Sequence, residues 1–249
     1  MTAVVLVEDR DVAGGTVRTV RLDRPDSRNA MDSMLLAELA EVLADAASAS
    51  QLRGLLITGG PEVFSAGADL REETGDDGAR RMELFGVVYE SLSLHPLPTV
   101  AAVEGPAVGG GAEVAAACDV RIAGRSARFR FPGASFGIPV GAARTIGLVG
   151  LGTAKDWVLS CRDVSAEEAL LAGFVQRVVH DGTAEAEAFA WLELVATRDA
   201  PTVGRLKRVL NDFAGLADRV AWENDALRGG TEAPARPGAF GMPARAQRS

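Results

Sequence analysis

Two segments of this chain repeat one pattern, and that pattern restricts the folds available to it. The segments are LLITGGPEVFSAGADL (residues 55–70) and TVAAVEGPAVGGGAEV (residues 99–114). Each begins as an apolar strand, passes through small residues and starts a helix beside an acid. Such a start carries unpaired backbone N–H groups and the positive end of the helix dipole. The pattern therefore predicts strand-to-helix junctions where a ligand can approach bare backbone.

Strands and helices alternate along most of the chain, which predicts the α/β class. Ser165 with Glu168 forms a capping box, and Gly173 can close that short helix. Asp32 can cap an earlier helix. Helical patterns also occupy residues 82–92, 183–198 and 201–215. Strand patterns occupy residues 16–22, 53–59, 99–105, 119–124, 127–131 and 175–179. The last twenty residues show no periodicity and predict a loop or an irregular arm.

Composition excludes several classes of function. The 249 residues carry a net charge of −8, so the basic face that binds nucleic acid is not expected. No apolar run approaches the roughly 20 residues of a membrane helix, and the N-terminus reaches acids too early for a signal peptide. We therefore expect a cytoplasmic protein. Cys118 and Cys161 show no metal-ligand or disulfide spacing, and His95 and His180 lie among loop formers, which favours structural roles.

The glycines have two interpretations. They can simply make tight turns, with Glu113 complementing the dipole of its helix. Alternatively, N–H groups from the two segments converge on one oxygen and form an oxyanion hole. Neither segment is a phosphate-binding loop, because G-x-x-x-x-G-K-[ST] is absent and Val114 stands where a third glycine is needed.

Taken together, the motifs resemble the enoyl-CoA hydratase/isomerase (crotonase) superfamily. FSAGADL at 64–70 is followed by P-x-x-A-A-V-x-G-x-A-x-G-G-G-x-E at 98–113, and VSAEEALLAGFVQRVV at 164–179 is also similar. The resemblance spans about residues 1–215. It implies a crotonase (ClpP-like) spiral of ββα units over residues 1–195 and a C-terminal helical region with an irregular tail over residues 196–249. It also implies a homotrimer or a dimer of trimers.

The resemblance further implies an acyl-CoA thioester as substrate, with no separate cofactor because CoA is part of that substrate. The N–H groups of Ala68 and Gly110 would hold the thioester oxygen, and Glu113 would be the acid–base group. The CoA moiety would pass Arg28 and Ala30. It would also follow the segment made of Ala66, Gly67, Ala68, Asp69 and Leu70.

One position departs from the hydratase pattern. Hydratases of the superfamily use a second glutamate in F-x-x-P-E-x-x-x-G-x-x-P, but the run here is FRFPGASFGIP, with Gly133 at that place. Water addition needs one group to take a proton and one to deliver it, so efficient hydration is doubtful. We expect Glu113 to act alone, through a thioester enolate. Asp69, Glu72 and Glu73 are nearby acids, for which a solvated helix start is the simpler role.

Two other functions stay open. The missing glutamate favours a crotonase-like protein that binds acyl-CoA without catalysis and passes it to a partner. GASFG at 133–137 matches the G-x-S-x-G elbow of serine hydrolases, with Asp156, Asp163 and His180 following in the required order. Pro139 opposes this second function, because a helix should run directly after the nucleophilic serine.

Overall fold

A computed structural model describes residues 3–72 and 78–229 of the chain. The strands are β1 (Val5–Val12), β2 (Gly15–Leu22), β3 (Leu52–Thr58), β4 (Thr99–Val103), β5 (Pro106–Val108), β6 (Val120–Gly124), β7 (Arg128–Arg130), β8 (Val164–Ser165) and β9 (Arg177–Val179). The helices are α1 (Ser33–Ser48), α2 (Ala79–Ser93), α3 (Gly110–Ala117), α4 (Ala142–Ser160), α5 (Ala166–Leu171), α6 (Ala184–Ala196), α7 (Ala200–Phe213) and α8 (Leu216–Leu227). Glu73 and the predicted irregular tail from residue 230 lie outside the described residues.

Two sheets organise the chain. Six strands form the larger sheet in the order β1-β2-β3-β4-β6-β9, and three short strands form the smaller one in the order β5-β7-β8. β1 and β2 pair as an antiparallel hairpin, and the strands from β2 to β9 in the larger sheet run parallel. Parallel neighbours require crossovers, which place the carboxyl ends of β3 and β4 side by side. The small residues of both glycine-rich segments follow directly after these strand ends.

Apolar residues cover both faces of the larger sheet. β4 is buried at every position, as expected for a parallel strand with helices on each side. On one face, α1 contributes Leu35, Leu39 and Leu43 to the main core. On the other face, Leu192 of α6 clusters with Val100 of β4. The sheet thus forms a rigid platform for the junctions at its edge.

Most predicted elements are confirmed, but the helix start predicted in the first glycine-rich segment is wrong, because residues 66–72 are not helical and α2 begins at Ala79. All six predicted strands are present, each within two residues of its predicted ends. Asp32 caps α1, since its Oδ1 accepts the N–H of Leu35 at 2.9 Å. Ser165 caps α5 by accepting the N–H of Glu168 at 3.2 Å. Across residues 3–72 and 78–229, no helix has the length and apolar character needed to cross a membrane.

Five elements were not predicted from the sequence: β1, β5, β8, α4 and α8. Helix α4 contains three glycines, and Gly150 interrupts it with φ of 77° and ψ of 166°. An apolar pattern broken in this way does not predict one continuous helix. Helix α8 packs against α2 and α4. The domain boundary near residue 195 stays a prediction.

A buried arginine fixes the C-terminal end of α3. Arg121 on β6 is fully buried and donates from Nη1 to the carbonyl oxygens of Cys118 at 2.7 Å and Ala115 at 3.1 Å. Its Nη2 donates to the side chain of Gln176 at 3.1 Å. Burial lowers the pKa of Arg121 to about 10, which still leaves it charged at neutral pH. These bonds satisfy the carbonyl oxygens that every helix leaves free at its end.

We expect Arg121→Leu to destabilise the fold by at least about 3 kcal/mol, because several buried carbonyl groups lose a charged donor. Urea unfolding followed by circular dichroism measures this change. The control is Arg208→Leu, which removes the same charge at an exposed position and should alter stability by less than about 0.5 kcal/mol. Equal effects of the two substitutions would contradict this role of Arg121.

Candidate active site

The two glycine-rich segments lie against each other. Ser65 pairs with Ala107 in a parallel bridge, and the N–H of Val108 donates to the carbonyl of Ser65 at 2.9 Å. A Cβ atom at Gly111 would lie only 2.7 Å from the Ser65 carbonyl oxygen. The contact is therefore backbone against backbone, and glycine is required for it.

Gly67 brings the end of the first segment to the start of α3. Its φ is 90°, and a Cβ atom there would lie 2.6 Å from the Val108 carbonyl oxygen and 3.3 Å from the Gly110 nitrogen. Hydrogen bonds to Met31 hold the residues on either side of Ala68. The Met31 N–H donates to the carbonyl of Gly67, and the Asp69 N–H donates to the carbonyl of Met31. Among the hydrogen bonds of the described residues, none uses the N–H of Ala68 or of Gly110. Two free donors thus lie on adjacent segments.

These segments border a cavity of about 470 Å³. Ala68 and Gly110 both line it, as do Gly109 and Gly133. Most of its wall is apolar and comes from Met82, Phe85 and Tyr89 of α2, Ile138 and Val140 of the loop before α4, and Leu227 of α8. An apolar cavity with a few convergent polar groups is the usual form of a small-molecule site. A larger cavity of about 530 Å³ lies between the far end of α3 and helices α4, α6 and α7, and neither glycine segment reaches it.

Some of the residues predicted to lie along CoA line the cavity, and others do not. Ala66, Gly67, Ala68 and Leu70 line the cavity, and Leu70 is 70% exposed at its edge. Asp69 does not line it.

The carboxylate of Asp69 is held by arginines. It pairs with Arg71 at 3.2 Å and with Arg24 at 3.1 Å. The hydrogen bond from Arg71 lowers the pKa of Asp69 despite its burial.

Arg28 is exposed and Ala30 is buried, and neither lines the cavity; the Arg28 carbonyl accepts the N–H of Ala66 at 3.0 Å. The roles of Arg28, Ala30 and Asp69 toward CoA stay predictions.

Glu113 is a member of a buried ion cluster. Its Oε2 accepts a hydrogen bond from Arg144 Nε at 2.7 Å, and Arg144 Nη2 also donates to Glu223 on α8. Glu223 in turn accepts the N–H groups of Ala142 at 2.8 Å and Ala143 at 3.0 Å, at the start of α4. One guanidinium therefore serves two carboxylates on different helices. We call Glu113, Arg144 and Glu223 the ion triad.

The ion triad determines the charge and the accessibility of Glu113. Burial raises the pKa of Glu113 to about 7; Arg144 opposes the rise and Glu223 adds to it. The side chain is 1% exposed and does not line the cavity. Its Oε1 is 3.0 Å from the point where a Cβ atom of Gly141 would lie, while the preceding Val140 faces the cavity. The turn at residues 140–141 thus lies between the carboxylate and the cavity.

This geometry, with paired free donors beside an apolar cavity, agrees with the sequence comparisons. A family model described as enoyl-CoA hydratase/isomerase matches residues 13–223. The chain belongs to the enoyl-CoA hydratase/isomerase family. A Mycobacterium tuberculosis protein described as probable enoyl-CoA hydratase echA6 is 35% identical over 211 residues, covering 83% of this chain and 82% of that protein. The short-chain-enoyl-CoA hydratase of Clostridium acetobutylicum is 38% identical over 172 residues, covering 66% of each.

Solved structures confirm the crotonase fold. An enoyl-CoA hydratase from Bacillus anthracis matches with a TM-score of 0.80 and 28% identity, over 92% of this chain and 91% of that chain. A monofunctional enoyl CoA isomerase from M. smegmatis matches with a TM-score of 0.74 and 30% identity, over 88% of this chain and 99% of that chain. The predicted resemblance to the enoyl-CoA hydratase/isomerase family is therefore confirmed.

Gly133, which the family resemblance predicts to stand at the place of the second glutamate, lines the cavity. It begins the short 3-10 helix Gly133–Phe136, whose loop folds back so that the Ile138 N–H donates to the Gly133 carbonyl at 2.9 Å. A Cβ atom at Gly133 would lie 2.6 Å from the Ile138 carbonyl oxygen and 2.9 Å from the Val140 side chain. A side chain at Gly133 would therefore collide with this loop unless the loop shifted.

The serine-hydrolase arrangement is not assembled. Ser135 lies in this 3-10 helix rather than between a strand and an α-helix, and it is exposed. No hydrogen bond of the described residues joins Ser135 to His180. Asp156, which could serve as the acid of a triad, instead pairs with Arg162 at 2.6 Å.

Other candidate residues have structural partners. Glu72 pairs with Arg81 at 3.0 Å and accepts the N–H of Ser33 at 3.0 Å. Cys118 and Cys161 are buried free thiols, as predicted. His95 is buried; its Nε2 lies 3.2 Å from the carbonyl oxygen of Leu43 on α1, and its Nδ1 accepts the N–H of Leu97 at 3.2 Å.

Sequence reasoning missed three residues near the cavity. Helical periodicity placed Tyr89 on a core face but carried no sign that it reaches a cavity. Arg144 lies in the first turn of the unpredicted helix α4, and Glu223 lies in the unpredicted helix α8. No local pattern pairs these two charges, since they are 79 residues apart.

We expect Arg144→Met to destabilise the protein by about 3–5 kcal/mol at pH 8, because it leaves two carboxylates buried without their cation. At pH 5 the loss should be smaller. Burial raises the pKa of Glu113 above that of the unfolded chain and Arg144 opposes the rise, so the variant's stability falls as pH rises from the unfolded pKa through the folded one. Urea unfolding at both pH values measures the effect.

Adding Glu113→Gln to Arg144→Met is the control for that experiment. Removing one of the two unpaired carboxylates should recover part of the stability lost at pH 8. A loss that is equal at pH 5 and pH 8 would show that packing, rather than charge, dominates the ion triad.

Proposed function

We propose that this protein is an acyl-CoA enzyme that holds the thioester oxygen between the N–H groups of Ala68 and Gly110. The observation that supports this most directly is the pair of free N–H donors on adjacent glycine segments beside an apolar cavity. Reaction at the α carbon of a thioester places negative charge on the carbonyl oxygen. Fixed donors in a water-poor site stabilise that enolate, and each is typically worth about 2.7–4 kcal/mol.

In this proposal Glu113 is the single acid–base group. Its carboxylate takes a proton from the α carbon, and the electron pair moves onto the carbonyl oxygen. Glu113 then delivers a proton back to carbon as the enolate collapses, and solvent deuterium enters the substrate when the proton on Glu113 exchanges before that delivery. A base with a pKa of about 7 suits this task near neutral pH. Glu113 reaches the α carbon when the turn at Gly141 opens. The φ of 104° at Gly141 lies in the left-handed region, which favours glycine at this turn.

Efficient hydration is not part of the proposal, because Gly133 supplies no second proton carrier. Isomerase-like or other enolate chemistry needs only one. We further propose that no metal or redox cofactor takes part. A homotrimer or a dimer of trimers in the cytoplasm is the arrangement that the family resemblance favours.

A non-catalytic acyl-CoA-binding protein is the second candidate, and a specific observation favours it. Glu113 is bound by Arg144 at 2.7 Å, is 1% exposed and lies behind the turn at Gly141. If that turn never opens, the cavity binds and polarises a thioester without moving a proton. The two candidates share a ligand and differ only in proton transfer at the α carbon.

Ligand class is tested by thermal unfolding. We expect butyryl-CoA to raise the melting temperature, because a ligand present at 100 times its Kd stabilises the folded state by about 2.7 kcal/mol. Butyrate should have no effect, since it lacks both the thioester and the CoA moiety. Free CoA is the second control. Absence of binding by calorimetry at millimolar butyryl-CoA would overturn both candidate functions.

Proton transfer is tested by deuterium exchange at the α carbon of butyryl-CoA in D₂O, followed by mass spectrometry. If Glu113 is the base, exchange should rise with pH through about 7, because only the carboxylate accepts a proton. Glu113→Gln should lower the rate by about 10²–10⁴-fold while butyryl-CoA still binds. Binding without exchange in the native protein would select the non-catalytic candidate.

A further inference from the structure

The chain contains one tyrosine, and its hydroxyl group lies at the cavity. Tyr89 is on α2 and is 3% exposed. Its hydroxyl oxygen lies 3.4 Å from the point where a Cβ atom of Gly110 would lie. The tip of this ring is therefore beside the residue whose N–H is proposed to hold the thioester oxygen.

The hydroxyl group of Tyr89 has no protein partner in the described part of the chain. None of the hydrogen bonds formed by residues 3–72 and 78–229 includes its oxygen, and that oxygen is not one of the fully buried side-chain atoms without a partner, so part of its surface is accessible. A buried phenol normally has a hydrogen-bond partner, because an unsatisfied polar group loses its bonds to water. Because Tyr89 lines the cavity, water or a ligand there can supply that partner.

The ring is held firmly in this orientation. Phe85 stacks on it with ring centroids 5.5 Å apart, and the Arg144 guanidinium lies 4.6 Å from its centroid. A cation over an aromatic face is attractive, and both neighbours limit rotation of the side chain. The hydroxyl group thus belongs to a pre-organised wall rather than to a mobile surface side chain.

We propose that the Tyr89 hydroxyl donates a third hydrogen bond to the thioester oxygen held by Ala68 and Gly110. The inference rests on the proposed function, because it needs a thioester in the cavity. No proton is transferred in this role. The phenol strengthens its hydrogen bond as negative charge develops on the oxygen during enolate formation, and weakens it again as the enolate collapses.

The protonation state of Tyr89 suits a donor. Burial raises the pKa of Tyr89 well above its usual value; the charge of Glu113 raises it further, whereas Arg144 opposes the rise. The group therefore keeps its proton throughout the neutral range. A side chain that served only to fill space would be replaceable by phenylalanine, which distinguishes the two roles experimentally.

The experiment compares native protein with Tyr89→Phe, which keeps the ring, its stacking on Phe85 and its contact with Arg144. Butyryl-CoA labelled with ¹³C at its carbonyl is bound to each, and the carbonyl stretching frequency is measured by infrared difference spectroscopy. Every hydrogen bond to the oxygen lowers that frequency. We expect the native shift to be partly lost in Tyr89→Phe, and α-carbon exchange to fall by about 10²-fold.

A second measurement uses the fact that Tyr89 is the only tyrosine. Labelling tyrosine with ¹³C at the carbon bearing the hydroxyl produces one resonance from the whole chain. Butyryl-CoA should shift this resonance. The thioether butyl-CoA, which has a methylene in place of the carbonyl, should bind in the same cavity and leave the resonance nearly unchanged.

The outcomes separate this inference from the function on which it rests. A lowered carbonyl frequency that is identical in Tyr89→Phe overturns the role of Tyr89 and leaves the backbone donors intact. Equal resonance shifts with the thioester and the thioether also overturn it, because they would report mere contact. A bound thioester with an unshifted carbonyl in native protein overturns the proposed oxyanion hole, and the Tyr89 inference with it.

Discussion

The contact between two stretches of backbone is the constraint on which the cavity depends. Residues 64–68 and 106–111 approach so closely that a Cβ atom at Gly67 or Gly111 would lie within 2.7 Å of a carbonyl oxygen of the other segment. No rotamer change can relieve such a collision, because both partners are main chain. The parallel sheet brings the segments to one edge, and the glycines let them touch. The donors at Ala68 and Gly110 are consequently adjacent, fixed and free.

The ion triad is a second constraint, and it opposes use of the cavity by holding Glu113 away from it. Arg144 joins α3 to α8, and Glu223 also accepts hydrogen bonds from the start of α4. Two carboxylates share one guanidinium; burial raises the pKa of Glu113 to about 7, Arg144 opposes that rise and Glu223 adds to it. The same bonds that hold three helices together also keep this carboxylate behind the turn at Gly141. Packing stability and access to the α carbon therefore compete at one residue.

Much of the fold could be predicted because its signals are local. Strand alternation, the caps at Asp32 and Ser165 and the two glycine segments each lie within a few consecutive residues. Helix α4 could not be predicted, since Gly147, Gly150 and Gly152 break its apolar pattern. The ion triad could not be predicted either: Arg144 is 31 residues from Glu113 and 79 from Glu223, and no periodicity relates charges at such separations.

By itself, the sequence determined the α/β class, the two junctions able to present bare N–H groups, and the absence of an acid at position 133. These depend on residue type and short spacing, which the chain carries wherever it folds. Only the tertiary structure decided that a side chain at Gly133 would collide with the loop that follows it, that Arg144 binds Glu113, and that the Tyr89 hydroxyl lies beside Gly110. Each of these depends on which helices meet across the cavity. That outcome is set by three-dimensional packing, because contacts between distant segments leave no local pattern in the sequence.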